Sequence, residues 1–237
     1  MPPLAEVLAS LRKDPVRNAN LINFIENYPP QSILRVGASV LVRGTSDKPW
    51  VYISSSSPTE FGELLRKFTP AEKNFAVLED WMVPPVVAGR AIKQRLTCIK
   101  LYLPEEVAVE PPRNQVTPLR PEEAEYLYDH ALYREFTDVA YIRERIARGI
   151  GFGIHEAGKL TAWALTHDDG AIGFLHVLPP YRGRGFARDV SAAIIHRLRA
   201  EGKIPFVHIE EENIASLGLA GKLGFVKDRR VHWIELA

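Results

Sequence analysis

The residues with the clearest chemical potential lie in Pro179-Pro180-Tyr181-Arg182-Gly183-Arg184-Gly185-Phe186-Ala187-Arg188. Two glycines one residue apart stand among three arginines, directly before an apolar pattern of helical spacing. The start of a helix presents unpaired N–H groups and the positive end of its dipole, which suits an anion. Glycine removes the side chains that would keep phosphate oxygens from those N–H groups. Arg182, Arg184 and Arg188 add charge-assisted donors. Together these features suit a pyrophosphate, whereas a glycine turn with solvated arginines is the plainer alternative.

Two common phosphate signatures do not fit. The lysine and hydroxyl pair of a GxxxxGK[ST] loop is missing. A dinucleotide GxGxxG is closer, with Glu210 at the end of the next strand as a ribose-binding acid. However, Arg188 occupies the place of the third glycine, and a three-stranded meander precedes the loop.

The elements that must position the loop can be read from periodicity. GIGFGIHEAGKLTAWALTHDDGAIGFLHVL predicts three strands joined by turns at EAGK and HDDG. After the loop, Phe186, Val190, Ile194 and Leu198 recur every four residues and predict one face of a helix. KIPFVHIEE predicts a buried strand, NIASLGLAGKLGF a short helix ending at Gly224, and VHWIEL a closing strand. Before the meander, VTPLRPEEAEYLYDHAL predicts a short strand and a helix, and FTDVAYIRERIAR a second helix with a threonine cap. Strands alternating with helices after a meander imply an α/β (α+β) sheet of mixed pairing. Residues 1–103 predict a separate α/β domain, in which SPTEFGELLRKF is a helix with a serine cap and a first-turn proline. The proline-rich, acidic 104–115 reads as a linker, so the chain divides into 1–103, 104–115 and 116–237.

Composition removes other classes. The 237 residues are 46% hydrophobic and 25% charged, ordinary for a soluble globular protein. Thirty basic against 29 acidic side chains give no global field for nucleic acid or membrane. The single cysteine, Cys98, sits in LTCIKLYL as a small core residue and excludes an internal disulfide. No metal site, spanning segment or targeting segment is expected, which makes the cytoplasm the expected location.

Arg182-Gly183-Arg184-Gly185-Phe186-Ala187 matches R/Q-x-x-G-x-G/A, the coenzyme A pyrophosphate motif of the GCN5-related N-acetyltransferase superfamily. Leu178-Pro179 and Tyr181, then His208-Ile209-Glu210-Glu211-Glu212-Asn213 with Ala215-Ser216, then Lys222-Leu223-Gly224-Phe225, resemble its glycine N-acyltransferase-like branch. The resemblance covers about residues 113–237. Over the first half it is loose, carried by Glu79-Asp80-Trp81-Met82 and the order of elements, and implies a degenerate copy of the same fold. It implies a sheet splayed at a central V, with acetyl-CoA or another acyl-CoA as cosubstrate and a small primary amine, such as an amino acid, as acceptor. The backbone of Leu175, His176, Val177 and Leu178 would pair with the pantetheine arm. The N–H groups of Gly183 to Arg188 would hold the pyrophosphate, and Asn213 and Ser216 would approach the pantetheine or acyl region. Asn213 also reads as an ordinary helix cap. The chain would act as a monomer or homodimer.

Two catalytic positions depart from the pattern. Ala171 stands where many members have a glutamate, and Ala220 where others have a tyrosine. The remaining candidates are His208, whose imidazole suits a base at neutral pH, His176 beside the expected thioester, and Glu210. The empty positions favour a second reading, a non-catalytic acyl-CoA-binding or regulatory protein. Trp163, Tyr126, Tyr128 and Tyr133 read as packing.

Overall fold

The computed structural model describes residues 2–237, which form two compact units: the chain up to Lys100 together with 227–237, and 101–226. The first unit opens with α1 (Leu4–Leu11) and α2 (Pro15–Asn27), then β1 (Ser32–Val36), β2 (Ser39–Thr45) and β3 (Pro49–Ser54). It continues with α3 (Pro58–Leu65), β4 (Asn74–Glu79), α4 (Val83–Val87) and β5 (Ile92–Tyr102). The second holds β6 (Thr117–Pro118), α5 (Ala124–Asp129), α6 (Val139–Arg148), β7 (Gly151–Glu156), β8 (Lys159–Thr166) and β9 (Ile172–Val177). After these come α7 (Phe186–Ala200), β10 (Phe206–Ile209) and α8 (Ile214–Leu223), and the chain closes with β11 (Val226–Leu236).

In the first unit the strand order is β1-β2-β3-β4-β11-β5. The closing strand, assigned by the sequence to 116–237, thus ladders antiparallel to β4, with Val231 opposite Glu79 and His232 opposite Leu78. Its alternation announces a strand but carries no signal for its partner. Ser57 caps α3 by accepting from the Glu60 N–H, with Pro58 in the first turn, as the sequence predicts. Cys98 is buried in this unit.

His232 is fully buried on β11, its Nε2 2.8 Å from Asp80 and its Nδ1 2.9 Å from Thr97 Oγ1 and 3.1 Å from Arg95. Burial disfavours the charged ring, the Asp80 carboxylate pulls the other way, and Arg95 and Arg230 repel a proton; the net lies below the ordinary imidazole value. The unfolded chain takes up this proton near pH ~6.5, and the folded chain resists it. The contribution to stability is therefore full above that pH and lost as pH falls through and below it. The urea midpoint should drop between about pH 7.5 and about pH 5, and drop less in His232→Gln. The same drop in both proteins would contradict this account.

The second unit orders its strands β10-β9-β8-β7-β6, antiparallel except for a parallel β9–β10 pair. Trp163 and Leu165 of β8 pack with Leu127 of α5 and Ile142 and Ile146 of α6 on one face. The buried Phe186, Val190, Ile194 and Leu198 carry α7 against β7, β8 and β9. The cap of α6 is Asp138, which accepts from the Tyr141 N–H, in place of the expected threonine.

The proline-rich segment is fastened to α7, which a free tether would not be. Arg188 donates to the carbonyls of Glu110 and Pro111, and Arg199 to those of Pro104 and Val107, each at 2.8 Å. Prolines supply no N–H donors, and the arginines of α7 give these carbonyls partners, while the Pro104 carbonyl also accepts from the Val107 N–H at 3.2 Å.

Candidate active site

The loop between β9 and α7 is built by its prolines and glycines. Pro179–Tyr181 forms a single tight turn, and Gly183 and Gly185 follow at φ +76° and +83°. Both angles lie in the left-handed region that L side chains avoid. A Cβ at either glycine would meet nothing within 4 Å, so the loop presents bare backbone to open space. Gly185 is the N-cap of α7, and no side chain caps the helix. The first helical bond runs from the Asp189 N–H to the Gly185 carbonyl at 3.1 Å. The N–H groups of Phe186, Ala187 and Arg188 therefore precede the helical ladder and are oriented as an anion site requires. This uncapped glycine cradle fits a pyrophosphate.

Several side chains of the loop have other duties. Arg188, expected to donate to phosphate, holds the linker carbonyls and the Asp189 carboxylate at 2.8 Å. Asp189 is buried and also accepts from the backbone and side chain of Asn114. Burial would raise its pKa, but the hydrogen bonds from Arg188 and Asn114 outweigh that and hold it below the usual carboxylate value. Phe186 is buried, so only its backbone can face a ligand. Arg184 lies over the Phe186 ring at 4.7 Å and pairs with Glu156 at 3.2 Å. The Arg182 Nε donates to the Val177 carbonyl at 3.2 Å.

The V opens where β10 leaves β9. Their register comprises one pair, Val207 with Ile172. Just beyond, β9 carries a bulge: Trp163 pairs with His176 and Leu165 with Gly173, so two residues of β8 span three of β9. Phe174 within it has φ +50°. Bulges bend a strand and re-aim the residues that follow.

The bulge decides which way His176 points. Thr166 and Trp163, three apart on β8, face opposite sides, and they pair with Ile172 and His176 respectively. Val207 shares the face of Ile172, so Phe206 and His208 share the face of His176. That face is the one covered by α5 and α6. Without the extra residue, His176 would turn to the α7 side.

His176 lies stacked on Trp163 at 4.7 Å and edge-on to His130 at 5.9 Å. Burial, then the His130 and Arg182 charges, push its pKa below the ordinary imidazole value. His208 stands edge-on to Phe206 at 5.5 Å. Glu210 receives the Tyr133 hydroxyl from the loop between α5 and α6. Asn213 caps α8, its side chain accepting from the Ser216 N–H at 3.1 Å.

Leu178, expected to offer its backbone at the open edge of β9, is turned the other way. The Leu178 N–H bonds the Thr161 carbonyl at 2.9 Å on the β8 side. By alternation Val177, not Leu178, points its N–H toward the V. Leu175 belongs to the bulged segment. Ala171 and Ala220 are buried and supply no proton-transfer group.

Tyr133, read from the sequence as packing, instead reaches Glu210, and His130 and Asn114 stand out only in the structure. A histidine closing the predicted helix EAEYLYDH was the available hint for His130. Nothing in the sequence marks Asn114 as the partner of Asp189.

The family model described as FR47-like protein matches residues 149–234. No curated protein matches the chain. Among solved structures, a Drosophila protein superposes with a TM-score of 0.83 at 20% identity, over 98% of this chain and 95% of that one. A GCN5-related N-acetyltransferase from Kribbella flavida gives 0.57 at 15% identity, covering 95% of each chain. A GCN5-related N-acetyltransferase-like protein from Streptococcus suis gives 0.51 at 15%, over 99% of this chain and 100% of that one. The chain has the GCN5-related N-acetyltransferase fold. In that fold the bulged β9, the glycine loop and α7 of the second unit stand as a contiguous strand–loop–helix.

The first unit has a parallel pair of its own, β3 with β4, held at Val51–Phe75 and Tyr52–Ala76 and followed by Val77 at φ +58°. Its loop before α3 is Ser55-Ser56-Ser57, with no glycine. The Ser57 side chain takes the Glu60 N–H, and Pro58 has no N–H to offer. It therefore lacks the cradle that the second unit has.

Proposed function

We propose that the second unit is an acyl-CoA-dependent N-acyltransferase acting on a primary amine of a small molecule. Amino acids are the first acceptors to test, because the motifs around His208-Ile209-Glu210 and Asn213 resemble the glycine N-acyltransferase-like branch. The observation that carries the reading is the uncapped, glycine-lined start of α7 beside a strand whose bulge opens the sheet.

In this reading, the N–H groups from Gly183 to Arg188 hold the pyrophosphate, and Arg182 and Arg184 supply the exposed positive charge around it. The Val177 N–H is the donor best placed at the V edge for the oxyanion of the transition state, and such donors contribute more than base catalysis in most enzymes. Acyl-CoA supplies an activated thioester. The acceptor enters as an ammonium and loses one proton to an imidazole, His208 or His176, on the α5–α6 face. As the new C–N bond forms the C–S bond breaks, and the second amine proton balances the departing thiolate. Glu210, tied to Tyr133, places a carboxylate at the mouth where a cationic acceptor would arrive.

The test is thiol release from acetyl-CoA in the presence of amino acids and polyamines. Saturable release with at least one amine, above the rate of hydrolysis alone, is the expected outcome. Binding of coenzyme A without acceleration by any amine would favour the second reading, a non-catalytic acyl-CoA-binding protein, which the buried Ala171 and Ala220 support.

A further inference from the structure

We infer that His130 is a positioning residue for proton removal, working through His176 as the second imidazole of a pair mounted on Trp163. The inference rests on the acyl-transfer reading above.

The geometry fixes both rings. His130 follows the last residue of α5, and its Nδ1 is 2.8 Å from the Tyr126 carbonyl. A carbonyl only accepts, so Nδ1 carries a hydrogen and donates to it. The ring stands at 82° to Trp163 with centroids 5.8 Å apart, and at 66° to His176. His176 lies nearly flat on the same indole, at 18°. Trp163 is 2% exposed, a rigid floor, while both histidines remain partly accessible.

With ring centroids 5.9 Å apart, positive charge on His130 disfavours a proton on His176, after burial the next cause of its lowered pKa. The other titratable groups nearby reinforce this or stay silent. Arg182, in the loop before α7, repels a second positive charge. Burial and then Tyr181 push the Tyr126 hydroxyl upward, so it stays neutral at physiological pH. His208 and Glu210 share the face from β10. His130 thereby disfavours a resting proton on His176, one of the two imidazoles proposed to take the ammonium proton of the acceptor, and His130 itself need not touch the substrate.

The test compares wild type with His130→Asn, which retains a donor for the Tyr126 carbonyl, and with His130→Phe, which retains an aromatic ring. His176 is followed by NMR through pH titration, and the acid limb of kcat/KM is recorded alongside. In both variants the His176 titration should move up, and the acid limb should follow it, with the KM for acetyl-CoA unchanged. Loss of kcat with an unmoved titration and an unmoved limb would overturn the inference, because packing alone would explain it. If wild type shows the coupled titration and yet transfers no acyl group to any amine, the acyl-transfer reading fails while the imidazole pair stands.

Discussion

Gly185→Glu is expected to abolish coenzyme A binding at concentrations that saturate the wild type, while the protein stays folded. A Cβ at this position meets no atom within 4 Å, so the substitution causes no clash. Its φ of +83° costs a non-glycine residue about 1–2 kcal/mol, which a folded domain tolerates. The side chain then projects into the open space proposed for the pyrophosphate and brings a like charge to the start of α7. Each lost charge-assisted hydrogen bond costs about 1.5–3 kcal/mol, or roughly ten- to a hundredfold in affinity. Gly183→Glu should behave in the same way. Circular dichroism and a thermal melt establish the fold, and calorimetry reads the affinity. Wild-type affinity in the folded variant would place the phosphates elsewhere.

His208→Ala is expected to lower turnover by roughly a hundredfold or more, with little change in affinity for the cofactor. The side chain stands on the diverging arm of the V, on the face it shares with His176, and Ala171 leaves the neighbouring strand without a carboxylate. The loss should shrink at high pH, where more of the acceptor amine is already neutral. Equal turnover with the same pH profile would remove His208 from the mechanism and leave His176 as the base. The two histidines share one face of adjacent strands, so the double variant should lose little more than the more damaging single one if they serve a single proton transfer.

The legible parts of this protein were those written in local chemistry. Gly183 and Gly185 announce left-handed backbone, the four-residue spacing of Phe186, Val190, Ile194 and Leu198 announces α7, and Gly224 closes α8 at φ +90° as a C-cap glycine should. What escaped depends on pairing between distant residues. The alternation of β9 gives no warning that Phe174 bulges, and that one extra residue moves His176 from one face of the sheet to the other. The partner of β11 is likewise a matter of tertiary register, and so its membership of the first unit could not be read from VHWIEL. The arginines illustrate the same limit. Arg188 has the right type and position for phosphate, yet the proline-rich carbonyls of Glu110 and Pro111 claim it first.

The central claim is that the second unit, through the loop between β9 and α7, binds one acyl-CoA per chain. Titration of acetyl-CoA into the full-length protein by calorimetry tests it most directly. The glycine cradle of the second unit and the serine-proline loop of the first together predict a single saturable site per chain, weakened when the pyrophosphate is absent from the ligand. No heat and no thermal shift at millimolar acetyl-CoA would contradict the account, and so would two equivalent sites per chain.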